Sequence, residues 1–480
     1  MSPPDDAPVL VGVGAVRHRP EDGPVPSLVE LMIEAVHRAG DDAGSERVLG
    51  RIGWIGVPKG AWTHPDPGRE VAGAFGSPDA HTVLAEVGVL QQEVIDGACR
   101  AVLAGAGVAV VVGAEVAHGS TDGAAGSVVT ARAAASEPDE HLVSHDLGVS
   151  PLEVSNALYD PPTVYAVMES AWAHGRGWDA AEHRRRLGGL WASFAAVAAA
   201  NPVAWRTDGP DAATIVDPSP DNRMVASPYT KLCCSNLRVN QAAALVVTTV
   251  ATARGLGIPA DRWVFPHGAA VCNHAVPVVQ RPSLAGSPVA ASATGRALEI
   301  AGAAVDDLGP IDLYSCFPVA VQVAAHELGL PADRPLTVTG GMTFAGGPLN
   351  SYQLHSTAAM AEVLRAAPDD TALVTAVSGF LTKYGAAVWS AEPPEAPWRA
   401  EDTTAEVAAL GSSRPERAAD PGEEVTVVGA TVEHGRDGSR TLVAVGDLPS
   451  GDRTIVRTTD PDAVAAGLAE TLVGAALRTP

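Results

Sequence analysis

Long apolar runs are missing from this chain: no stretch reaches the roughly 18 residues that a membrane-crossing helix needs. The opening MSPPDDAPVL has aspartates where a signal peptide carries its basic residues. A cytoplasmic protein without membrane contact is therefore expected. Basic residues are scarce, with 32 Lys and Arg against 56 Asp and Glu and a formal net charge of −24. A field of that sign repels nucleic acid and anionic lipid at long range, so nucleic-acid binding is not expected. An anionic substrate would need a local basic patch. Cysteine is equally thin. Cys99, Cys233, Cys234, Cys272 and Cys316 are odd in number, scattered and without metal-ligand spacing, which argues for reduced thiols and against a disulfide framework or a metal site.

What is present is long and apolar: 480 residues with 46% hydrophobic content exceed one ordinary core and suit two or three domains. The period of the apolar residues alternates between two and nearly four. VLVGVGAV reads as a first buried strand, SLVELMIEAVHRAG as a helix and RIGWIGVPKG as a strand and turn, the grammar of an α/β fold. GVGAV is a weak nucleotide-binding signal, because no Gly-x-Gly-x-x-Gly opens a helix after that strand.

Two distant segments echo each other. GVLQQEVIDGACRAVLAGAGVAVVVGAE runs helix, turn, apolar strand and Gly, and NSYQLHSTAAMAEVLRAAPDDTALVTAVSG does the same, as expected of two similar halves that pack their helices closely. Between them, residues 116 to about 230 are polar and Pro-rich around one good helix, DAAEHRRRLGGLWASFAAVAAANP, and read as an inserted loop domain. That helix carries Arg184, Arg185 and Arg186, the densest basic cluster in the chain, which is either a solvated face or a phosphate-holding patch. Residues 396–423 are rich in Pro, Ser and acids and read as a linker. Residues 424–480 alternate β-type runs with Asp-Gly and Ser-Gly turns, which predicts a small β-rich domain, an OB- or SH3-like barrel.

Four motifs in order then give a resemblance. GGMTFAGGPLNSY is similar to the Gly-His-Pro loop of the thiolase superfamily, DLYSCFPVAVQ to its Asn-Glu-Ala-Phe or His-Asp-Cys-Phe loop, SNLRVNQAAALVVTT to its Asp-Gly-Ala-Ala-Ala segment, and VSGFLTKYGAAVWS to its Cys-x-Gly strand and turn. The match covers about residues 8 to 395 and is nearest to the type 1 thiolase-like proteins of the sterol-carrier-protein branch, which carry an additional C-terminal domain. The resemblance implies a duplicated five-layered α-β-α-β-α thiolase fold. Residues 1–235 would form the N-terminal half with its loop domain, and residues 236–395 the C-terminal half. It implies a coenzyme A thioester as ligand or substrate, with no covalently bound cofactor. It also implies a homodimer formed through the sheet edge of the first half, with a monomer as the alternative if the added domain covers that edge. A protein partner at the C-terminal domain is a further expectation.

Carried over residue by residue, the resemblance leaves its chemical positions vacant. The nucleophile falls on Gly88, the activating His on Gly347 and the second thiol on Val377. Cys99 lies about three helical turns beyond Gly88, too far to substitute. The loop that orients an oxyanion-hole water supplies Tyr314, Ser315 and Cys316. Claisen or thiolytic chemistry through an acyl-cysteine is therefore not expected, although database-style naming would call the chain an acetyl-CoA acetyltransferase.

Four side chains remain candidates for acid/base work: His355, with a neutral-range pKa on a helix whose Leu354, Ala358, Ala361 and Leu364 can bury it, and Tyr314, Cys316 and Tyr384. Core packing is the alternative for each. Gly346, Asn350, Ser315, Lys383 and Gly379 are candidate substrate contacts, the glycines by letting backbone N–H groups approach a thioester and Asn350 with Ser351 also as helix caps. Three functions are consistent with this set: an acyl-CoA-binding protein, a non-covalent carbon–carbon lyase of CoA thioesters such as a retro-aldolase, and a non-catalytic partner subunit in lipid or steroid metabolism.

Overall fold

The computed structural model describes residues 3–118, 137–144, 148–331, 333–411 and 413–479, so part of the expected loop domain lies outside the described residues. Two mixed sheets repeat one pairing pattern. In the first, strand Asn240–Thr249 pairs antiparallel with both Pro8–Arg17 and Val108–Val116, and Val108–Val116 pairs parallel with Ile52–Pro58. In the second, Lys383–Ser390 pairs antiparallel with both Phe265–Cys272 and Thr371–Ser378, and Thr371–Ser378 pairs parallel with Leu308–Asp312. The two echoing segments occupy equivalent places in this scheme: helix Gln91–Leu103 feeds Val108–Val116, and helix Tyr352–Ala366 feeds Thr371–Ser378. The duplication read from the sequence is a duplication of topology.

Strand alternation builds the layers, since successive residues of a strand face opposite sides. Val108, Val110 and Val112 meet Leu31, Met32, Ala35 and Ala39 of helix Leu28–Asp42, whereas Ala109 and Val111 face the middle of the molecule. There Val94, Ile95, Ala98 and Val102 of one central helix and Leu354, Ala358, Ala361 and Leu364 of the other fill the space between the sheets. Leu373, Ala386 and Val388 of the second sheet turn outward onto helices Pro288–Ala301 and Pro318–Glu327. This is the α-β-α-β-α order that the resemblance implies.

The first sheet continues through His81–Ala85 to Glu140–Leu142, a short strand from the inserted segment that pairs parallel along its edge. A third sheet joins the C-terminal strands to that segment: Arg453–Thr458, Arg440–Asp447 and Glu424–His434 run on into Met224–Ala226 and Tyr229–Thr230. The pairing is an open path rather than a closed ring, so the small barrel expected at 424–480 is here a sheet. Hairpin signals fix local pairing but not closure, and here the inserted segment supplies the next strand. Residues 396–423 also differ from a bare linker, because Ala400–Asp402 adds parallel to Phe265–Cys272 and helix Thr404–Ala408 follows. An edge strand needs only backbone partners, which composition does not reveal.

Candidate functional site

The two central helices begin beside each other, and each start is irregular. Gly88, at φ +105, precedes helix Gln91–Leu103, and its carbonyl accepts from Lys383 Nζ at 3.3 Å. Helix Tyr352–Ala366 starts after Ser351, whose hydroxyl donates back to Pro348 O at 3.0 Å and caps nothing. The cap comes from the other helix. Gln91 Oε1 accepts from the Gln353 backbone N–H, and Gln92 Oε1 accepts from Gln353 Nε2. Gln92 Nε2 in turn donates to Asp96 Oδ1 at 2.8 Å. One helix thereby supplies the acceptor that the first turn of the other lacks. Glycine permits this approach: a Cβ at Gly113 would lie 2.5 Å from Ser351 Cβ, and one at Gly385 would lie 2.8 Å from Gln92 Cβ.

Tyr314 closes the junction. Its N–H donates to Thr375 Oγ1 at 2.9 Å, its phenol reaches the Gln91 side chain, and its ring stands edge-on to Tyr352 at 5.6 Å. Ser315 Oγ accepts from Met342 N–H at 3.2 Å and draws in the glycine loop. Tyr352 Oη contacts Thr339 Oγ1 at 2.6 Å and donates to Asp312 Oδ1 at 3.3 Å. Tyr384 pairs with Val377 across the ladder, and its buried hydroxyl, with Thr375 as polar neighbour, makes no hydrogen bond of good geometry. Burial pushes both the Tyr314 and Tyr384 phenols up, so they remain protonated donors at neutral pH.

The structure brings Gly88, Tyr314, Ser315, Val377, Lys383 and Tyr384 into one neighbourhood but leaves His355 out of it. His355 lies two residues beyond Gln353, roughly 200° around the helix. It faces Val13, Gln241 and Gly346 across a cavity of about 100 Å³ that Tyr352 and Thr339 also line. Its Nε2 is buried without a partner, and burial pulls the imidazole down to about 4. His355 therefore lies on the far side of Tyr352 from Tyr314 and Tyr384.

The glycine turn also differs from expectation. Gly347 N–H donates to Asn236 O at 2.9 Å and Gly346 packs on the Gln241 amide, so the Gly347 N–H offers no oxyanion contact. Asn350 caps nothing, and its Nδ2 is buried without a partner. Gly379 O accepts from Thr382 N–H at 3.2 Å and from Arg281 Nη2 at 3.4 Å. Arg184 pairs with Asp217, and Arg185 and Arg186 both pair with Glu182 at 2.7 and 2.6 Å, so each guanidinium of the basic cluster already has a carboxylate.

Every thiol is held up by burial: Cys316, next to Tyr165, to about 12, Cys233 to about 11, Cys99 and Cys234 well above the ordinary value, and Cys272 less strongly. Asp96, at the end of the glutamine ladder, is raised to about 7 by burial, against the pull of Gln92 and Arg100. Sequence reasoning missed Gln91, Gln92 and Gln353, although they stand at the start of both echoed helices. Glutamine there is an ordinary helix residue until the two helices are placed end to end.

No family model matches the sequence, and no curated protein matches it. Solved structures do. A monomeric SCP2-thiolase-like protein of type 1 from Mycobacterium smegmatis is 28% identical, with 99% of this chain and 97% of that chain covered at a TM-score of 0.83. The Ltp2–ChsH2(DUF35) aldolase is 19% identical over 81% of this chain and 98% of that chain at 0.60, and an acetyl-CoA acetyltransferase from Syntrophomonas wolfei is 16% identical over 80% and 99% at 0.56. The last two share the fold; the first shares it over nearly the whole length, C-terminal sheet included. The repeated sheets, the paired helix starts and that full-length likeness together make this chain a member of the thiolase-like superfamily, in the branch of the SCP2-thiolase-like proteins of type 1.

Proposed function

We propose that the chain binds acyl-CoA thioesters on a thiolase scaffold without carrying the acyl group on a cysteine. The observation behind this reading is the junction of the two helix starts. Gly88 stands where the resemblance puts the attacking thiol; Cys99, Cys233, Cys272 and Cys316 are buried, Cys234 is half-buried, and all five thiols are shifted up. The thiolate is the attacking species, and a thiol held at about 12 supplies almost none at pH 7. The first turn of helix Tyr352–Ala366, whose dipole would stabilise an oxyanion, meets the Gln91 oxygen instead.

A second reading is non-covalent acid/base chemistry on a CoA thioester, of the retro-aldol class. The buried, unbonded hydroxyl of Tyr384 favours it, because a protonated phenol can donate to an enolate oxygen. The test is a panel of CoA esters followed by calorimetry and intact-protein mass spectrometry. Binding with no gain of an acyl mass is expected, unchanged in His355→Ala because that side chain has no polar partner at its Nε2 and lies across Tyr352 from the helix starts. An acyl adduct, or no binding of any ester, overturns the first reading; turnover that disappears in Tyr384→Phe replaces it with the second.

A monomer belongs to the same proposal. Strand Glu140–Leu142 occupies the edge beside His81–Ala85, where the resemblance places dimer pairing, and the Mycobacterium smegmatis relative is described as monomeric. Light scattering is expected to give a mass near 48.9 kDa, and twice that value would refute it.

A further inference from the structure

Outside the helix junction lies a partly open cavity whose largely apolar wall carries a buried guanidinium without a paired carboxylate among the described residues. Arg281, 6% exposed, ends the short turn Val278–Gln280 and lines a cavity of about 360 Å³ with Val276, Val289, Leu381 and Val407. Its Nε donates to Val276 O at 3.1 Å, but Nη2 reaches only Gly379 O at 3.4 Å and Nη1 only Met168 Sδ at 3.8 Å. Among the described residues no carboxylate stands within ion-pair distance of it. Arg453, equally buried, shows what satisfaction looks like in this fold: Nε donates to Asp447 at 2.8 Å and Nη1 to Arg281 O at 2.7 Å.

A guanidinium has five N–H donors, and leaving a buried charge without a counter-ion is costly. Burial pulls Arg281 down to about 10, against the more distant charge of Glu153, whose oxygens are occupied by the N–H groups of Val279 and Ser150. Glu327 also borders the cavity, with Oε1 held by Ser287 N–H at 2.8 Å. The volume falls in the range of small-molecule sites. Leu410, 66% exposed, stands on its rim, brought there by the segment whose composition reads as a linker.

We propose that this cavity binds a medium-chain aliphatic carboxylate, its head group on the Arg281 guanidinium and its chain against Val276, Val289, Leu381 and Val407. The carboxylate supplies the planar, bidentate partner that the guanidinium lacks, and the chain covers apolar wall that water now touches. The site is separate from the thioester reading and does not rest on it.

Calorimetry of the full chain with octanoate at pH 7 tests it. One equivalent is expected to bind. Hexanoate should bind about 15-fold more weakly, at roughly fourfold per methylene. Octanol should bind at least tenfold more weakly, and Arg281→Gln should weaken octanoate to the level of octanol. Because Arg281 is buried, Leu410→Asp is the companion variant. At that exposed position it should weaken octanoate several-fold with an unchanged thermal midpoint. No binding of octanoate at millimolar concentration overturns the proposal. So does octanol binding as tightly as octanoate, or both variants folding and binding like the native chain. Binding of octanoyl-CoA without octanoate would sink this proposal and leave the thioester reading standing.

Discussion

Two buried polar networks hold this molecule together, and they differ in charge. At the junction of the central helices the partners are amides and phenols, with Asp96 raised to about 7 as the one carboxyl of the glutamine ladder. Where the C-terminal segment meets the inserted helices the partners are ions. His183 Nε2 contacts Glu169 Oε1 at 2.9 Å and Nδ1 contacts Glu470 Oε2 at 2.8 Å, while Tyr229 Oη donates to Glu169 Oε2 at 2.6 Å. Burial pulls the imidazole down, and the hydrogen bonds to the two glutamates more than reverse it, to about 10. The contrast teaches where the chain keeps its internal charge. An imidazolium clamps the added sheet to the body, whereas the contacts that join the two central helix starts are between amides.

The largest expected effect comes from breaking the charged network. His183→Ala leaves Glu169, 0% exposed, without its cation and should cost about 3–5 kcal/mol in urea unfolding. A loss below about 1 kcal/mol would show that the clamp is no stronger than a surface pair. The neutral network should be weaker. Gln353→Ala strands the Gln92 amide oxygen while the backbone cap to Gln91 survives, and about 1–3 kcal/mol should be lost. Equal costs for the two variants would erase the distinction between the networks.

The smallest effect is a pH dependence. Asp96 has a folded pKa of about 7, above its ordinary value of 3.8, so the folded state binds the extra proton between those values. Stability from this group is present at the acid end of that window and lost as pH rises through about 7. His183 acts in the same direction at higher pH, since its contribution is complete below 6.5 and disappears as pH passes about 10. Asp96→Asn should flatten the thermal midpoint between pH 5 and 8 and gain about 1–2 kcal/mol at pH 8. A midpoint that rises with pH across that range in the native chain would mean that Asp96 is ionised in the fold.

Much of the architecture was legible because it is periodic. The alternation along VAVVVGAEV and the helical spacing of Val94, Ala98 and Val102 prescribe a strand buried on both faces and a helix beside it, and the echo at Asn350 to Gly379 prescribes the same again. Gly88 was placed by the thiolase resemblance, and the structure sets it beside Lys383 at the start of helix Gln91–Leu103. Helical spacing gives the angle between two side chains but not which of them faces the other helix, so it could not tell that Gln353 meets the other helix and His355 lines the cavity beside Tyr352. Arg184, Arg185 and Arg186 look like a basic patch in one dimension and are ion pairs in three.

The sequence by itself determined the two sheets, their shared order and the absence of a cysteine at the start of either central helix, because apolar period and residue identity are local properties. Only the tertiary structure decided that Gln91 caps a helix 262 positions away, that a linker-like segment walls the Arg281 cavity, and that the inserted segment shares a sheet with the C-terminal strands. Each of these joins residues remote in the chain through backbone and amide hydrogen bonds or shape. Such contacts are open to many residue types and so leave little trace in the sequence.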